Sequence, residues 1–173
     1  MKKFVIGVYV ENKYGVLARI SGMIMRKAFN IDSIASGMTN DDAFSRITLT
    51  LRGEDYHCDQ LIQQLKKLHN VKSVDVLNKD DCVEREMMLI KVKNSPYNRT
   101  EVMAAAEIYR GKIFDYSVDS LCVEVTGEPA KINAFIDIMK PLGILEIVRT
   151  GTVAMERSRV LADPTEDTPH SKI

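Results

Sequence analysis

The strongest constraint on the fold is a change of apolar periodicity that occurs twice, in the same order, along the chain. Phe4, Ile6, Val8 and Val10 alternate, so their side chains fall on one face of an extended strand. Val16, Leu17, Ile20, Met23, Ile24 and Lys27 then take helical spacing with one mostly apolar stripe. Residues 31–39 and 44–51 read as two strands joined across Asn40, Asp41 and Asp42, whose short polar side chains favour turns. Cys58, Leu61, Ile62, Leu65 and Leu68 restore the helical period, and Val71, Val74 and Val76 close a βαββαβ unit.

Asn78-Lys79-Asp80-Asp81-Cys82 is polar and aperiodic, which places a linker at residues 78–83 between a first domain, 1–77, and a second, 84–157. The order then repeats. Met88, Ile90 and Val92 alternate in a strand, and Asn98 with Glu101 suggests a capping-box start to a helix through Val102, Ala105, Ala106 and Tyr109. Residues 112–116 and 121–125 form a second hairpin. Pro129 suits the first turn of a helix, whose buried stripe is Ile132, Phe135, Ile136 and Met139; Pro141 and Gly143 stop it. Residues 144–155 supply the last strand, and the Asp-, Glu- and Pro-rich stretch 158–173 predicts a disordered tail. The fold class is therefore α+β: two tandem ferredoxin-like βαββαβ sandwiches, each an antiparallel sheet with two helices on one face. Val5 and Tyr9 lie on the other face of the first strand and make it too apolar for water, which predicts a homodimer.

Of the 173 residues 45% are apolar, enough for a real core, and 24 basic residues balance 24 acidic ones. That balance argues against a nonspecific grip on nucleic acid or an anionic membrane, both of which need surplus cations. Residues 1–10 lack a cleavage pattern, and no apolar run is long enough to span a bilayer, so neither a signal peptide nor a membrane span is expected. Three widely spaced cysteines point to a reduced, cytoplasmic setting.

Asn12-Lys13-Tyr14-Gly15-Val16-Leu17-Ala18-Arg19 joins the first strand to the first helix. Free N–H groups at a helix start favour an anion such as a carboxylate, glycine permits close approach, and a neutral amide both donates and accepts. Taken alone, an ordinary Asx-turn leading into a helix is the simpler account. The wider pattern is more specific. Residues 11–19 with Phe29-Asn30-Ile31-Asp32-Ser33-Ile34 resemble the ACT-domain signature of acetolactate synthase regulatory subunits. The likeness continues through Ser45-Arg46-Ile47-Thr48, residues 83–92, Ile108-Tyr109-Arg110-Gly111-Lys112-Ile113 and Glu146-Ile147-Val148-Arg149-Thr150-Gly151.

That resemblance implies a non-catalytic regulatory subunit in branched-chain amino acid biosynthesis. It implies a partner, the catalytic (large) subunit, which the second domain helps to activate and which carries thiamine diphosphate, magnesium and FAD; this chain would carry no cofactor. It implies a dimer holding valine or a related branched-chain amino acid as feedback inhibitor. Asn12, Gly15, Val16 and Leu17 would come from one subunit and Asn30 with Ile31 from the other. Two residues depart from the family pattern: Ala28 where relatives usually have glycine, and Tyr14 where a smaller residue or proline is usual.

Other candidates are weaker. His57, Cys58 and His69 lack metal-ligand spacing, and His170 falls in the tail. Glu84 and Glu86 share a strand face, but ion pairing explains them more simply than acid–base chemistry. Arg110-Gly111-Lys112 lacks phosphate-loop spacing and is read as a turn, and the nine methionines as adaptable packing. The alternative function is an amino-acid-sensing transcriptional regulator with tandem ferredoxin-like domains, for which no helix-turn-helix or basic ribbon is found. A small free-standing enzyme would need a nucleophile, base or metal set that is also lacking.

Overall fold

The computed structural model describes residues 2–26 and 29–157. The first lobe comprises β1 (Lys2–Glu11), α1 (Val16–Arg26), β2 (Asn30–Met38), β3 (Phe44–Gly53), α2 (Asp55–Leu65) and β4 (Val71–Val76). The second comprises β5 (Cys82–Lys93), α3 (Arg99–Ile108), β6 (Lys112–Tyr116), β7 (Ser120–Gly127), α4 (Pro129–Gly143), β8 (Ile144–Arg149) and β9 (Val153–Glu156). The sheets have the corresponding orders β2-β3-β1-β4 and β6-β7-β5-β8, antiparallel throughout, as two ferredoxin-like units require.

Alternation decides which side of each sheet is buried. Ile6 and Val8 of β1 and Leu49 and Leu51 of β3 meet Ile20 and Ile24 of α1 and Leu61 and Leu65 of α2 in the first core. Met88, Ile90, Leu121 and Val123 meet Val102, Ile132, Phe135 and Met139 in the second. Phe135 is fully buried with the Tyr109 ring edge-on at 5.3 Å, so truncating it to alanine would cost about 3–5 kcal/mol. The β2–β3 turn closes as its polar residues suggest: the Phe44 N–H bonds the Asp41 carbonyl at 2.9 Å, and the Asp41 carboxylate accepts the Ala43 N–H at 2.9 Å.

Several local expectations are corrected. Cys82 and Val83 belong to β5, where they pair with Glu156 and Met155 of β9, so the polar connection ends at Asp81. The single last strand is two, because Gly151 at φ +78° turns the chain between β8 and β9. Pro141 does not stop α4; it forgoes one bond in the last turn, and the helix ends at Gly143, φ +88°. Asn98 sits at the N-cap of α3 without capping it, because its amide oxygen, the atom a cap would use, accepts the Ser95 N–H at 2.9 Å and hydroxyl at 3.0 Å, while its amide N–H groups donate to the Lys93 and Leu142 carbonyls, both at 2.8 Å. Val5 is buried by the chain itself, packed with Leu77, Cys82 and Ala154 where the lobes meet, so it no longer argues for a dimer. The tail 158–173 with His170, and the positions Lys27 and Ala28, lie outside the described residues.

Candidate functional site

The loop from β1 to α1 is held from both flanks. The Asn12 backbone N–H bonds the Ala43 carbonyl at 2.7 Å, and its side-chain amide donates to the Asp42 carbonyl at 3.0 Å. Gly15 takes φ +77°, a conformation that costs a side chain about 1 kcal/mol or more, and a β-carbon there would meet nothing within 4 Å. The space in front of the helix start is therefore open. Val16 turns inward and its N–H reaches the Lys13 carbonyl at 3.4 Å, while Leu17 is exposed. The N–H groups of Gly15, Leu17 and Ala18 make no bond among the described residues, as a helix start predicts. Here a cluster of free donors and an apolar side chain face solvent together. Tyr14 projects fully into solvent beside them.

Glu11, immediately before this loop, accepts from the amide of Asn70 at 2.7 Å and from the ammonium groups of Lys13 at 2.9 Å and Lys72 at 3.0 Å. Those donors, Lys13 foremost, hold its carboxyl down at about 2. Sequence reasoning missed Glu11 and Asn70, because their partners lie about 60 residues away and no local period marks such a pair.

Asn30 and Ile31 sit elsewhere. Asn30 starts β2 opposite Arg52, and its amide donates to Asp32 at 3.2 Å; Ile31 packs on the first core opposite Leu51. Glu11 lies opposite Phe44, so the two halves of the candidate site are eight β3 positions apart, roughly 26 Å at ~3.3 Å per residue. One copy of the chain brings Asn12, Gly15, Val16 and Leu17 together, and Asn30 with Ile31 together, but not the two groups to each other. β2 is an edge of its sheet, with one row of backbone donors and acceptors free of sheet partners.

The start of β2 also touches the second lobe. The Thr152 N–H reaches the Ser33 hydroxyl at 3.4 Å, and a β-carbon on Gly151 would lie 2.9 Å from the Ser33 β-carbon. A cleft of about 570 Å³ runs along this junction, lined by Asp32, Ser33, Thr50, Arg52, Glu86 and Arg149. Glu86 is buried and takes a bidentate bond from Arg149, at 2.5 and 2.9 Å; Glu84 pairs with Lys3 across the lobes at 3.2 Å. Both carboxylates are thus ion-paired. The Thr50 hydroxyl is buried here without a partner among the described residues.

Cys58 is buried on α2, and desolvation, followed by the charges of Asp59 and Asp55, pushes its thiol up to about 11. Among the described residues no group of three His, Cys, Asp or Glu side chains is placed to hold a metal, and no helix is long and apolar enough to cross a membrane. Arg110 and Gly111 close α3: Arg110 takes φ +53° and the Gly111 N–H bonds the Ala106 carbonyl at 2.7 Å, a Schellman turn.

Residues 6–73 match the family model described as the AHAS small subunit-like ACT domain, and residues 85–158 match the small subunit of acetolactate synthase. The chain is 45% identical to the probable acetolactate synthase small subunit of Archaeoglobus fulgidus, over 90% of this chain and 97% of that one. It is 44% identical to the acetolactate synthase small subunit of Aquifex aeolicus, over 91% of this chain and 82% of that one. The crystal structure of the small subunit from Thermotoga maritima superposes with a TM-score of 0.85 at 35% identity, covering 92% of this chain and all of that one. With both lobes matched in order and nearly full length aligned, the chain belongs to the acetolactate synthase small-subunit family and carries an ACT domain as its first lobe.

Proposed function

We propose that this protein is a non-catalytic regulator that binds the catalytic subunit of acetolactate synthase, raises its activity, and withdraws that stimulation when valine or a related branched-chain amino acid binds between two copies of its first lobe. The observation that carries this is the separation of Asn12 from Asn30. Antiparallel pairing of β2 with its own copy about a two-fold axis centred near Ile34 sets Asn30 across from the partner's Met38. Met38 pairs with Ser45, next to the Phe44 and Glu11 end of the sheet. Edge pairing would therefore carry each Asn30 to the helix start of the other copy. There the free N–H groups suit the ligand carboxylate, the two asparagine amides its polar groups, and Leu17 and Ile31 an aliphatic side chain.

Inhibition requires the ligand to prefer one arrangement of the lobes, with a coupling of about 1–3 kcal/mol being typical. Asn30 and Ile31 lie three and two positions from Ser33, which touches the second lobe, so an occupied interface has a short path to the lobe that we assign to catalytic-subunit activation. The partner would perform the condensation of two pyruvates, or of pyruvate with 2-oxobutyrate, with its own thiamine diphosphate, magnesium and FAD. A cytoplasmic setting fits the three unpaired buried thiols.

Reconstitution tests this directly. The purified chain, titrated into a catalytic subunit, raises acetolactate formation to a plateau, and valine lowers that plateau; no stimulation at any ratio rejects the proposal.

A further inference from the structure

The loop that would receive the ligand has no packing of its own to hold it: Asn12, Lys13, Tyr14 and Gly15 are all exposed, and Gly15 is the residue type with most backbone freedom to lose. Beyond its own turn bonds, from the Lys13 N–H to the Glu11 carbonyl at 2.9 Å and from the Val16 N–H to the Lys13 carbonyl at 3.4 Å, its order comes from outside. On the β2 side it is tied to the hairpin turn through Asn12, as described. On the side of β4, the opposite sheet edge, Asn70 makes three contacts: its carbonyl accepts the Glu11 N–H at 2.8 Å, its amide donates to the Glu11 carboxylate, and its amide oxygen accepts from the Arg19 guanidinium at 3.1 Å. Glu11 precedes the loop and Arg19 lies one turn into α1, so Asn70 spans it from entry to exit. The clamp sits at the sheet edge opposite β2 and leaves Gly15 and Leu17 exposed.

We infer that Glu11 and Asn70 are positioning residues that hold the Asn12–Leu17 loop in its ligand-competent form, so that the affinity of the interface site is set from behind by a Glu11–Asn70–Arg19 relay. This inference rests on the ligand reading above. The Glu11 carboxylate also pairs with Lys13 and Lys72, but both lysine side chains are exposed and such surface pairs add little, so the role rests on the link to Asn70. The relay has a definite donor order, Arg19 to Asn70 to Glu11, and its second link can be inverted at constant charge. In the double variant Glu11→Gln/Asn70→Asp the new amide at position 11 donates to a carboxylate at position 70, which still accepts from Arg19; Lys13, largely exposed, is free to turn away.

The full-length protein is compared with Glu11→Ala, Asn70→Ala and the inverted double variant by calorimetry with valine and by amide hydrogen exchange. In each alanine variant the Kd for valine is expected to rise about tenfold, as when the competent loop falls to about a tenth of the population. Exchange at Asn12, Lys13 and Arg19, whose N–H groups bond the Ala43, Glu11 and Gly15 carbonyls, quickens there while Leu49 and Leu51 in β3 keep their rates, and the double variant recovers both readouts. Wild-type affinity and exchange in the alanine variants, equal acceleration of loop and core, or a double variant no better than the singles would each overturn the inference. Should the wild-type protein take up no valine, the ligand reading fails separately, and the exchange rates alone decide the positioning role.

Discussion

Two glycines in the same segment should respond in opposite directions to the same added methyl group. Gly15 stands at φ +77° with no atom within 4 Å of the place its methyl group would take, whereas Gly22 lies inside α1 with equally open surroundings. Steric contact is thus absent in both, and backbone preference decides. Gly15→Ala must hold a left-handed conformation and loses about 1 kcal/mol. Gly22→Ala removes a flexible residue from a helix and gains about 0.5–1 kcal/mol. In a chain of this size that is a melting shift of roughly 2–4 °C per kcal/mol, downward for the first and upward for the second. Thermal unfolding followed by circular dichroism, at one fixed protein concentration because self-association would make the melt depend on it, measures both. Repeating the melts with valine separates strain from ligand contact: Gly15→Ala should also shrink the valine-induced rise, and Gly22→Ala should leave it unchanged. An unaltered melting point for Gly15→Ala, or equal shifts of the same sign, would refute the reasoning.

Three further outcomes follow from the geometry. Arg149→Ala leaves the buried Glu86 carboxylate unpaired and should cost about 2–3 kcal/mol in urea unfolding, at the lower end because the Arg149 side chain is 37% exposed; replacing both with apolar residues should cost much less. Glu11 has its carboxyl lowered from 4.5 to about 2, so its contribution is complete above the unfolded value and is lost as pH falls from about 4.5 toward 2; Glu11→Gln should differ from wild type by a constant amount near neutrality, and that gap should close across this acid window. Cys58, with its thiol raised to about 11, should resist a thiol reagent at pH 8 until urea unfolds the first lobe.

Most of the fold was legible in local pattern. The alternation of Phe4 to Val10 and of Met88 to Val92 marks central strands, and Ile20, Ile24, Leu61 and Leu65 mark the buried faces of helices. What escaped depends on contacts distant in sequence. Cys82 and Val83 look like linker because their strand partners, Glu156 and Met155, lie some seventy positions on. Val5 looks like an interface residue because nothing near it in sequence announces that Leu77 and Ala154 will cover it. Asn98 has the composition of a helix cap, yet the Leu142 carbonyl, 44 positions on, holds its amide so that the oxygen accepts from Ser95 and not from the helix start. The candidate site divides in the same way. Gly15 and the helix start are visible as a local motif, and the pairing of Asn12 with Asn30 entered through resemblance. Register then adds that a single copy holds them at opposite ends of a sheet, and the Glu11–Asn70–Arg19 clamp emerges from tertiary contacts alone.

A site shared between two copies is most directly tested by subunit complementation. Homodimers of Asn12→Ala and of Asn30→Ala should each bind valine poorly, since each lacks one half of every site. Unfolding and refolding them together should form mixed dimers with one intact site apiece, restoring about a quarter of wild-type sites by random pairing. Calorimetric recovery of that fraction at wild-type affinity is the predicted result; no recovery in dimers confirmed to be mixed would contradict the shared interface.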